Sequence, residues 1–261
     1  VIIYVCDYGE KSNQSAKMSV LKEAQLLSNS EYFEQLWQLD TDWFEPPNHR
    51  RGGWSGVVKY VLKTANGAVD VFIKRQENHR TKTWCHPLKG IHTFQKEYNN
   101  ILRLTAKHIP TLEPVYFSCD KSRAILVTKE LTGYQSLENI SPLSLSSVSR
   151  KQLLKAVARV LADMHQAHFQ HNSLYPKHIF VKPINNGWDI KIIDLEKMKR
   201  TLFVRQSMMR DLGTLERHAN QEWSKKDRVF FLQQYFNEQP LSKKTRQLLQ
   251  KLAKPKKAKR H

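Results

Sequence analysis

From residue 57 the apolar positions recur first at the two-residue spacing of strands and then at the three-to-four spacing of helices. Val57-Val58-Lys59-Tyr60-Val61-Leu62 belongs to a β-rich run, entered through the glycines of Arg50-Arg51-Gly52-Gly53-Trp54-Ser55-Gly56. Ala65-Asn66-Gly67-Ala68 has the composition of a hairpin turn, and Val69-Asp70-Val71-Phe72-Ile73-Lys74 is a β-branched strand. Ile91, Phe94, Tyr98, Ile101, Leu102 and Thr105 then follow a helical pattern. Residues 109–117 and 124–128 read as two further strands. The order β–β–β–helix–β–β predicts a small mixed lobe.

A second long helix is expected over about 148–168, with Leu153, Leu154, Val157, Val160, Leu161, Met164 and His165 as its buried stripe. Ile179-Phe180-Val181 and Ile190-Lys191-Ile192-Ile193 make a hairpin through Asn185-Asn186-Gly187, and the pattern from Leu212 onward is mostly helical. Glu130-Leu131-Thr132-Gly133-Tyr134 is placed as a hinge between the two regions. Residues 1–30 are polar and poorly periodic, and Met18 is a candidate start. Tyr32, Phe33, Leu36, Trp37, Trp43 and Phe44 suggest a short packing element, ended by Pro46-Pro47.

Composition narrows the class. A chain of 261 residues with 40% hydrophobic content can bury one large core or two small ones. Its apolar runs are too short to cross a bilayer. Val1-Ile2-Ile3-Tyr4-Val5 makes a poor signal peptide because Asp7 and Glu10 follow at once. Cys6, Cys85 and Cys119 form no close-spaced pair, which suggests neither a disulfide scaffold nor a zinc site and fits a reducing compartment.

Lys and Arg number 43 against 24 Asp and Glu, a formal charge of +19, so polyanions are the expected partners. The tail over 251–261 is a flexible electrostatic tether or a solubilising end. Nucleic acid is not expected. There is no paired-cysteine finger, no aromatic RNA-binding strand and no helix with a dense Arg/Asn reading face.

Several separated residues ask for one chemistry. Lys74 ends a strand, where its ammonium either faces solvent or holds nucleotide phosphate oxygens. Glu97, on the following helix, is a surface glutamate or the partner that orients that lysine. Gly52, Gly53 and Gly56 serve a tight hairpin or let backbone amides approach phosphate. Asp194 closes a strand and delivers a carboxylate, as a turn cap or as an oxygen ligand for Mg²⁺. His178, at the mouth of the same hairpin, ligates metal or bonds phosphate, and His171 buttresses its loop. His165 and His168 are expected to be structural or capping.

Taken together, Arg51-Gly52-Gly53-Trp54-Ser55-Gly56-Val57, Val71-Phe72-Ile73-Lys74, Glu97, the 171–178 loop, Ile192-Ile193-Asp194-Leu195 and Arg210-Asp211-Leu212 resemble the protein-kinase-like lipopolysaccharide core heptose kinases, with the related Kdo kinases and InaA-type proteins. The resemblance covers roughly residues 45–235. It implies an α+β, bilobal protein-kinase-like fold: an N-terminal extension over 1–45, a β-rich N-lobe over 46–131, a mostly helical C-lobe over 132–250 and a basic tail over 251–261. It implies ATP held by Gly52, Gly53, Gly56, Lys74 and Glu130, with Glu97 paired to Lys74. Mg²⁺ would be bound by His178 and Asp194, with His171 and Asp211 structural. The acceptor would be a heptose or Kdo hydroxyl of the lipopolysaccharide inner core, met at the cytoplasmic face of the bacterial inner membrane.

Ser173 departs from the pattern, standing where the family resemblance expects the aspartate that accepts the acceptor's proton. Asp163 and Glu196 are available carboxylates elsewhere. The readings that follow are an ATP- and Mg²⁺-dependent core-sugar kinase, or a catalytically impaired kinase-fold module in envelope biogenesis or stress response. A small-molecule phosphotransferase of the aminoglycoside or choline class shares the fold but expects an acidic pocket, against the basic balance here.

Overall fold

The computed structural model describes residues 29–247 except 51, 65, 66, 84, 85 and 244. Met18, Arg51, Cys6, Cys85, the centre of the 65–68 turn and the basic tail lie outside the described residues. The chain divides into two compact units: one takes in the chain up to Leu102 with Leu112–Thr132, the other Arg103–Thr111 and the chain from Gly133 onward.

The first unit holds α1 (Asn29–Trp37), β1 (Trp43–Arg50), β2 (Gly53–Thr64), β3 (Gly67–Glu77), β4 (Arg80–Thr83), β5 (His86–His92), most of α2 (Thr93–Thr105), β6 (Pro114–Cys119) and β7 (Arg123–Lys129). Five strands make one antiparallel sheet in the order β1-β2-β3-β7-β6, and β4–β5 is a separate hairpin. Strand alternation divides β3 between two faces. Val71 and Ile73 join the core with Tyr32, Phe33 and Leu36 of α1. The intervening positions face α2: Lys74 bonds Glu97, and Gln76 Oε1 accepts from the Phe94 backbone N–H at 2.8 Å.

Arg75 holds α1 in place. It is buried under the Trp43 ring and donates to the Trp37 and Leu39 carbonyls at 2.6 and 3.1 Å, satisfying oxygens where α1 ends.

Three sequence expectations are corrected here. Pro46-Pro47 does not end an element; both prolines lie inside β1. The strand is an edge, paired on one side only, and its register shifts between Glu45 and Asn48, so missing N–H donors are tolerated. The strand expected over 109–117 begins at Pro114; Ile109 and Leu112 are buried in the preceding loop, so their hydrophobicity reflects packing and not strand pairing. Cys119 is disulfide-bonded, which departs from the expectation that the cysteines fit a reducing compartment.

The second unit contains β8 (Gln135–Ser136), α3 (Ser147–Gln166), β9 (Phe169–Gln170), β10 (Ile179–Ile184), β11 (Gly187–Ile192), β12 (Lys199–Arg200), α4 (Val204–His218) and α5 (Lys225–Phe236). The Ser146 hydroxyl caps α3 by accepting from the Ser149 N–H, and the buried stripe includes Leu153, Leu154, Val157, Leu161, Met164 and His165. Ser224 and Asp227 close a capping box on α5. Strands β10 and β11 form the expected hairpin, β8 extends it, and β12 pairs with β9. Among the described residues no helix is long and apolar enough to cross a membrane.

Candidate active site

In the first unit the decisive pair is Lys74 and Glu97. Helix α2 buries Phe94, Glu97, Tyr98, Ile101 and Leu104, a helical stripe with one carboxylate set into it. A buried carboxylate needs a partner, and Lys74 Nζ supplies one at 2.7 Å. The glutamate side chain is 2% exposed and the lysine 20%, so the carboxylate is fixed inside and holds an ammonium that reaches the surface. Glu130, by contrast, bonds Lys59 at 2.8 Å through its carboxylate, while its backbone N–H donates to the Asp70 carbonyl.

Gly52 lies in the β1–β2 turn, and Gly53 and Gly56 lie in β2. Gly52 has φ +77°, a left-handed conformation that most residues resist. A Cβ on Gly53 would stand 2.3 Å from the Glu77 carbonyl oxygen, so β2 touches the end of β3 only because the side chain is missing. Gly56 lies against the Trp43 ring. The turn thus asks for a glycine at 52, and close approaches within the sheet ask for one at 53 and 56.

The second unit assembles the rest from three segments. Asp211 on α4 is buried, and its two oxygens accept from three donors: the His171 N–H at 2.7 Å, the Asn172 N–H at 3.0 Å and His165 Nε2 at 3.1 Å. One carboxylate thus fixes the backbone where β9 becomes the 171–178 loop.

His171 continues the lacing. Its Nε2–H donates to the Ile193 carbonyl at 2.9 Å, and its Nδ1 accepts from the Ser173 N–H at 3.3 Å. Those roles require the neutral Nε2–H tautomer. Burial pushes its pKa below the ordinary histidine value, against the opposing pull of Asp211.

His178 Nδ1–H donates to the Ser173 carbonyl at 2.8 Å, and the Ile193 N–H donates to the His178 carbonyl at 3.0 Å. These bonds deliver Asp194 beside His178, with Nε2 and Oδ2 3.2 Å apart. Asp194 is left-handed, at φ 59° and ψ 59°, and Asn172 has φ 65°. Each of the two segments turns on such a residue, a conformation that Asn and Asp tolerate better than most side chains.

With Nδ1 donating, His178 turns Nε2 toward the Asp194 carboxylate, an ion pair when the imidazole is protonated. With Nε2 unprotonated, that nitrogen and the carboxylate oxygen would be able to share a cation. No group of three or more His, Cys, Asp or Glu side chains placed to hold a metal ion is found among the described residues. His178 and Asp194 are the side chains that would hold an ion such as Mg²⁺, which takes one or two protein ligands and completes its shell with phosphate and water.

Ser173 is 3% exposed and enters the network through its N–H and carbonyl. Asp163 is exposed on α3, and Glu196 sits near Lys197 at 3.7 Å. Sequence reasoning left the partners of His165 unnamed. Its Nδ1 accepts from the Tyr235 hydroxyl at 2.8 Å while Nε2–H serves Asp211, so one histidine ties α3, α4 and α5 together. The available signal was its place on the buried stripe of α3, where a polar ring needs two partners.

This arrangement has known relatives. The model of the lipopolysaccharide kinase (Kdo/WaaP) family matches residues 34–235. The chain belongs to that family. It is 31% identical over 196 residues to Protein InaA of Escherichia coli (strain K12), covering 71% of this chain and 87% of InaA. Among solved structures, WaaP in complex with acyl carrier protein is similar with a TM-score of 0.63 at 20% identity, over 90% of this chain and 95% of that one. An aminoglycoside-3'-phosphotransferase of type VIII is similar with a TM-score of 0.52 at 13% identity, over 85% and 97%. At those identities the likeness is one of fold: α+β, bilobal and protein-kinase-like, with a β-rich N-lobe and a helical C-lobe. In this member of the Kdo/WaaP family, the Lys74–Glu97 pair belongs to the β-rich lobe, and the Asp211-anchored loop with His178 and Asp194 to the helical one.

Proposed function

We propose that this chain is an ATP- and Mg²⁺-dependent phosphotransferase acting on a heptose or Kdo hydroxyl of the lipopolysaccharide inner core, at the cytoplasmic face of the inner membrane. The observation that carries the reading is the ammonium of Lys74 held at 2.7 Å by a carboxylate that is 2% exposed, in a chain of this family. A surface lysine has no need of a buried partner; a phosphate-binding lysine gains a fixed position from one.

Magnesium–ATP, when bound, supplies the transferable phosphoryl group and a divalent charge that offsets charge developing on the phosphate oxygens. Lys74 would hold phosphate oxygens, oriented by Glu97. Gly52, Gly53 and Gly56 would offer backbone N–H groups, and Glu130 would stand at the nucleotide's other end. His178 and Asp194 would hold the metal, and His171 and Asp211 keep the loop in shape. Ser173 orients the acceptor hydroxyl by hydrogen bonding and takes no proton, because an alcohol is a very weak base at neutral pH.

The test incubates purified protein with labelled ATP, Mg²⁺ and dephosphorylated lipopolysaccharide core. Label is expected in the glycolipid, with loss of nucleotide binding in Lys74→Ala and Asp194→Ala. A folded chain that binds nucleotide and labels no core sugar would overturn the transfer reading. The second reading then takes over: a kinase-fold binding module in the envelope, favoured by the serine at 173.

A further inference from the structure

The segment that leaves Asp194 carries an apolar pair that packing does not explain. Leu202 is 88% exposed, more than any other large hydrophobic among the described residues, and Phe203 beside it is 68% exposed. Isolated surface leucines are ordinary; an adjacent Leu-Phe pair in water is less so. The residues 197–205 read Lys-Met-Lys-Arg-Thr-Leu-Phe-Val-Arg, with four cations and no acid. Among the described residues none of Lys199, Arg200 and Arg205 has an ion-pair partner, while Lys197 has Glu196 at 3.7 Å.

The pair does not project from slack chain. Lys199 and Arg200 pair as β12 with Gln170 and Phe169 of β9. Asn172 Nδ2 donates to the Lys197 carbonyl at 2.9 Å, and the Thr201 N–H to the His168 carbonyl at 2.9 Å. His168 Nδ1–H returns a bond to the Thr201 carbonyl at 3.1 Å. On the far side the Phe203 carbonyl accepts from the Ser207 N–H as α4 begins. Backbone bonds therefore flank Leu202 and Phe203, and they tie the segment to the residues that open the 171–178 loop.

Helix stability does not account for these residues either. Phe203 is the N-cap of α4 without a side-chain cap bond, and the first turn holds Arg205 and no acid. Ser, Thr, Asn or Asp would cap better, and a cation at a helix N-terminus opposes the dipole.

We propose that Lys199–Arg205 is a membrane-docking element, in which Leu202 and Phe203 enter the apolar boundary of an anionic lipid bilayer and Lys199, Arg200 and Arg205 meet the phosphates of its headgroups. Apolar side chains flanked by bare cations are the two signals that interfacial binding combines. Docking here presents the Asp211-anchored loop to the lipid surface, where a lipid-linked sugar lies. That consequence rests on the kinase reading above; the docking itself does not.

The test uses the full chain without nucleotide, so its outcome is separate from phosphotransfer. Flotation with vesicles of phosphatidylglycerol and phosphatidylcholine is compared with phosphatidylcholine alone. The parent chain is expected to bind the anionic vesicles. Leu202→Ser/Phe203→Ser, which leaves the charge unchanged, should lower the partition about tenfold or more. Lys199→Gln/Arg200→Gln/Arg205→Gln should lower it by a similar factor and flatten its dependence on salt. Phe203→Trp gives an independent readout: a blue shift on anionic vesicles, and quenching by lipid brominated in the acyl chain, beyond the change in the parent with its six tryptophans.

A serine double variant that partitions like the parent would overturn the proposal, since overall basic charge would then suffice. So would loss of binding to polyglutamate in the glutamine variant with vesicle binding intact, which points to an acidic protein. Docking without phosphate transfer would overturn the kinase reading alone.

Discussion

On the kinase reading, Ser173 puts a neutral side chain where a negative one is expected, beside two histidines whose bonds are set. Its N–H and carbonyl hold His171 and His178, so the backbone at 173 does the same structural service whatever the side chain. What changes is the proton acceptor. A general base contributes on the order of 10²–10⁴-fold in rate, and phosphoryl transfer through a loose transition state asks for that help late. Ser173→Asp is therefore expected to raise transfer to the core sugar by about tenfold or more, measured at saturating ATP. The position is 3% exposed, so a thermal melt must first show that the added charge is tolerated. A folded, nucleotide-binding variant with no gain rejects the view that residue 173 faces the acceptor.

The 171–178 loop is held from a neighbouring element. Asp211 belongs to α4, yet its oxygens close the turn after β9 and anchor His165 of α3. Asp211→Ala would leave one buried and one part-buried backbone N–H and one buried imidazole N–H without an acceptor. At about 1–3 kcal/mol for each unsatisfied buried group, the loss should be several kcal/mol. The expected signs are a lower thermal midpoint and faster hydrogen exchange at the His171 and Asn172 amides. Tyr235→Phe removes only the bond to His165 Nδ1 and should cost about 1 kcal/mol without loosening those amides. Equal amide exchange in Asp211→Ala and the parent would mean that the loop holds its own shape.

Elements with a regular buried face were legible in sequence: α3, the β10–β11 hairpin and most of α2 follow from periodicity. The β4–β5 hairpin and β1 were not, because β1 is exposed along nearly its whole length and has no alternation to read. The His178–Asp194 approach was legible because a tight hairpin leaves its two ends together. The partners of His165 were not, because helix-to-helix contacts across 46 and 70 residues leave no local pattern.

At the scale of the whole molecule, the buried histidines set the acid limit of a chain with a formal charge of +19. His92 in the first unit donates from Nε2 to the Asp120 carbonyl at 3.0 Å and accepts at Nδ1 from Gln76 Nε2 at 3.3 Å. Burial lowers its pKa, as it does for His171 in the second unit. In each ring Nδ1 accepts a hydrogen bond that protonation there would break, while the Nε2–H bond to a carbonyl would survive. Between the depressed native value and the ordinary value of 6.5, the unfolded chain binds protons that the native chain refuses. Stability therefore rises with pH inside that window. These histidines contribute fully above pH 6.5, and their contribution is lost as the pH falls through the native values. The slope can reach about 1.4 kcal/mol per pH unit for each histidine. Thermal midpoints measured between pH 8 and about pH 5 should be flat at first and then fall below about 6.5. His92→Gln keeps a neutral hydrogen-bonding side chain without a titration, so its curve should bend less over the same interval. A parent curve that is flat to pH 5, or a variant that bends as steeply, would mean that His92 takes up its proton in the folded state.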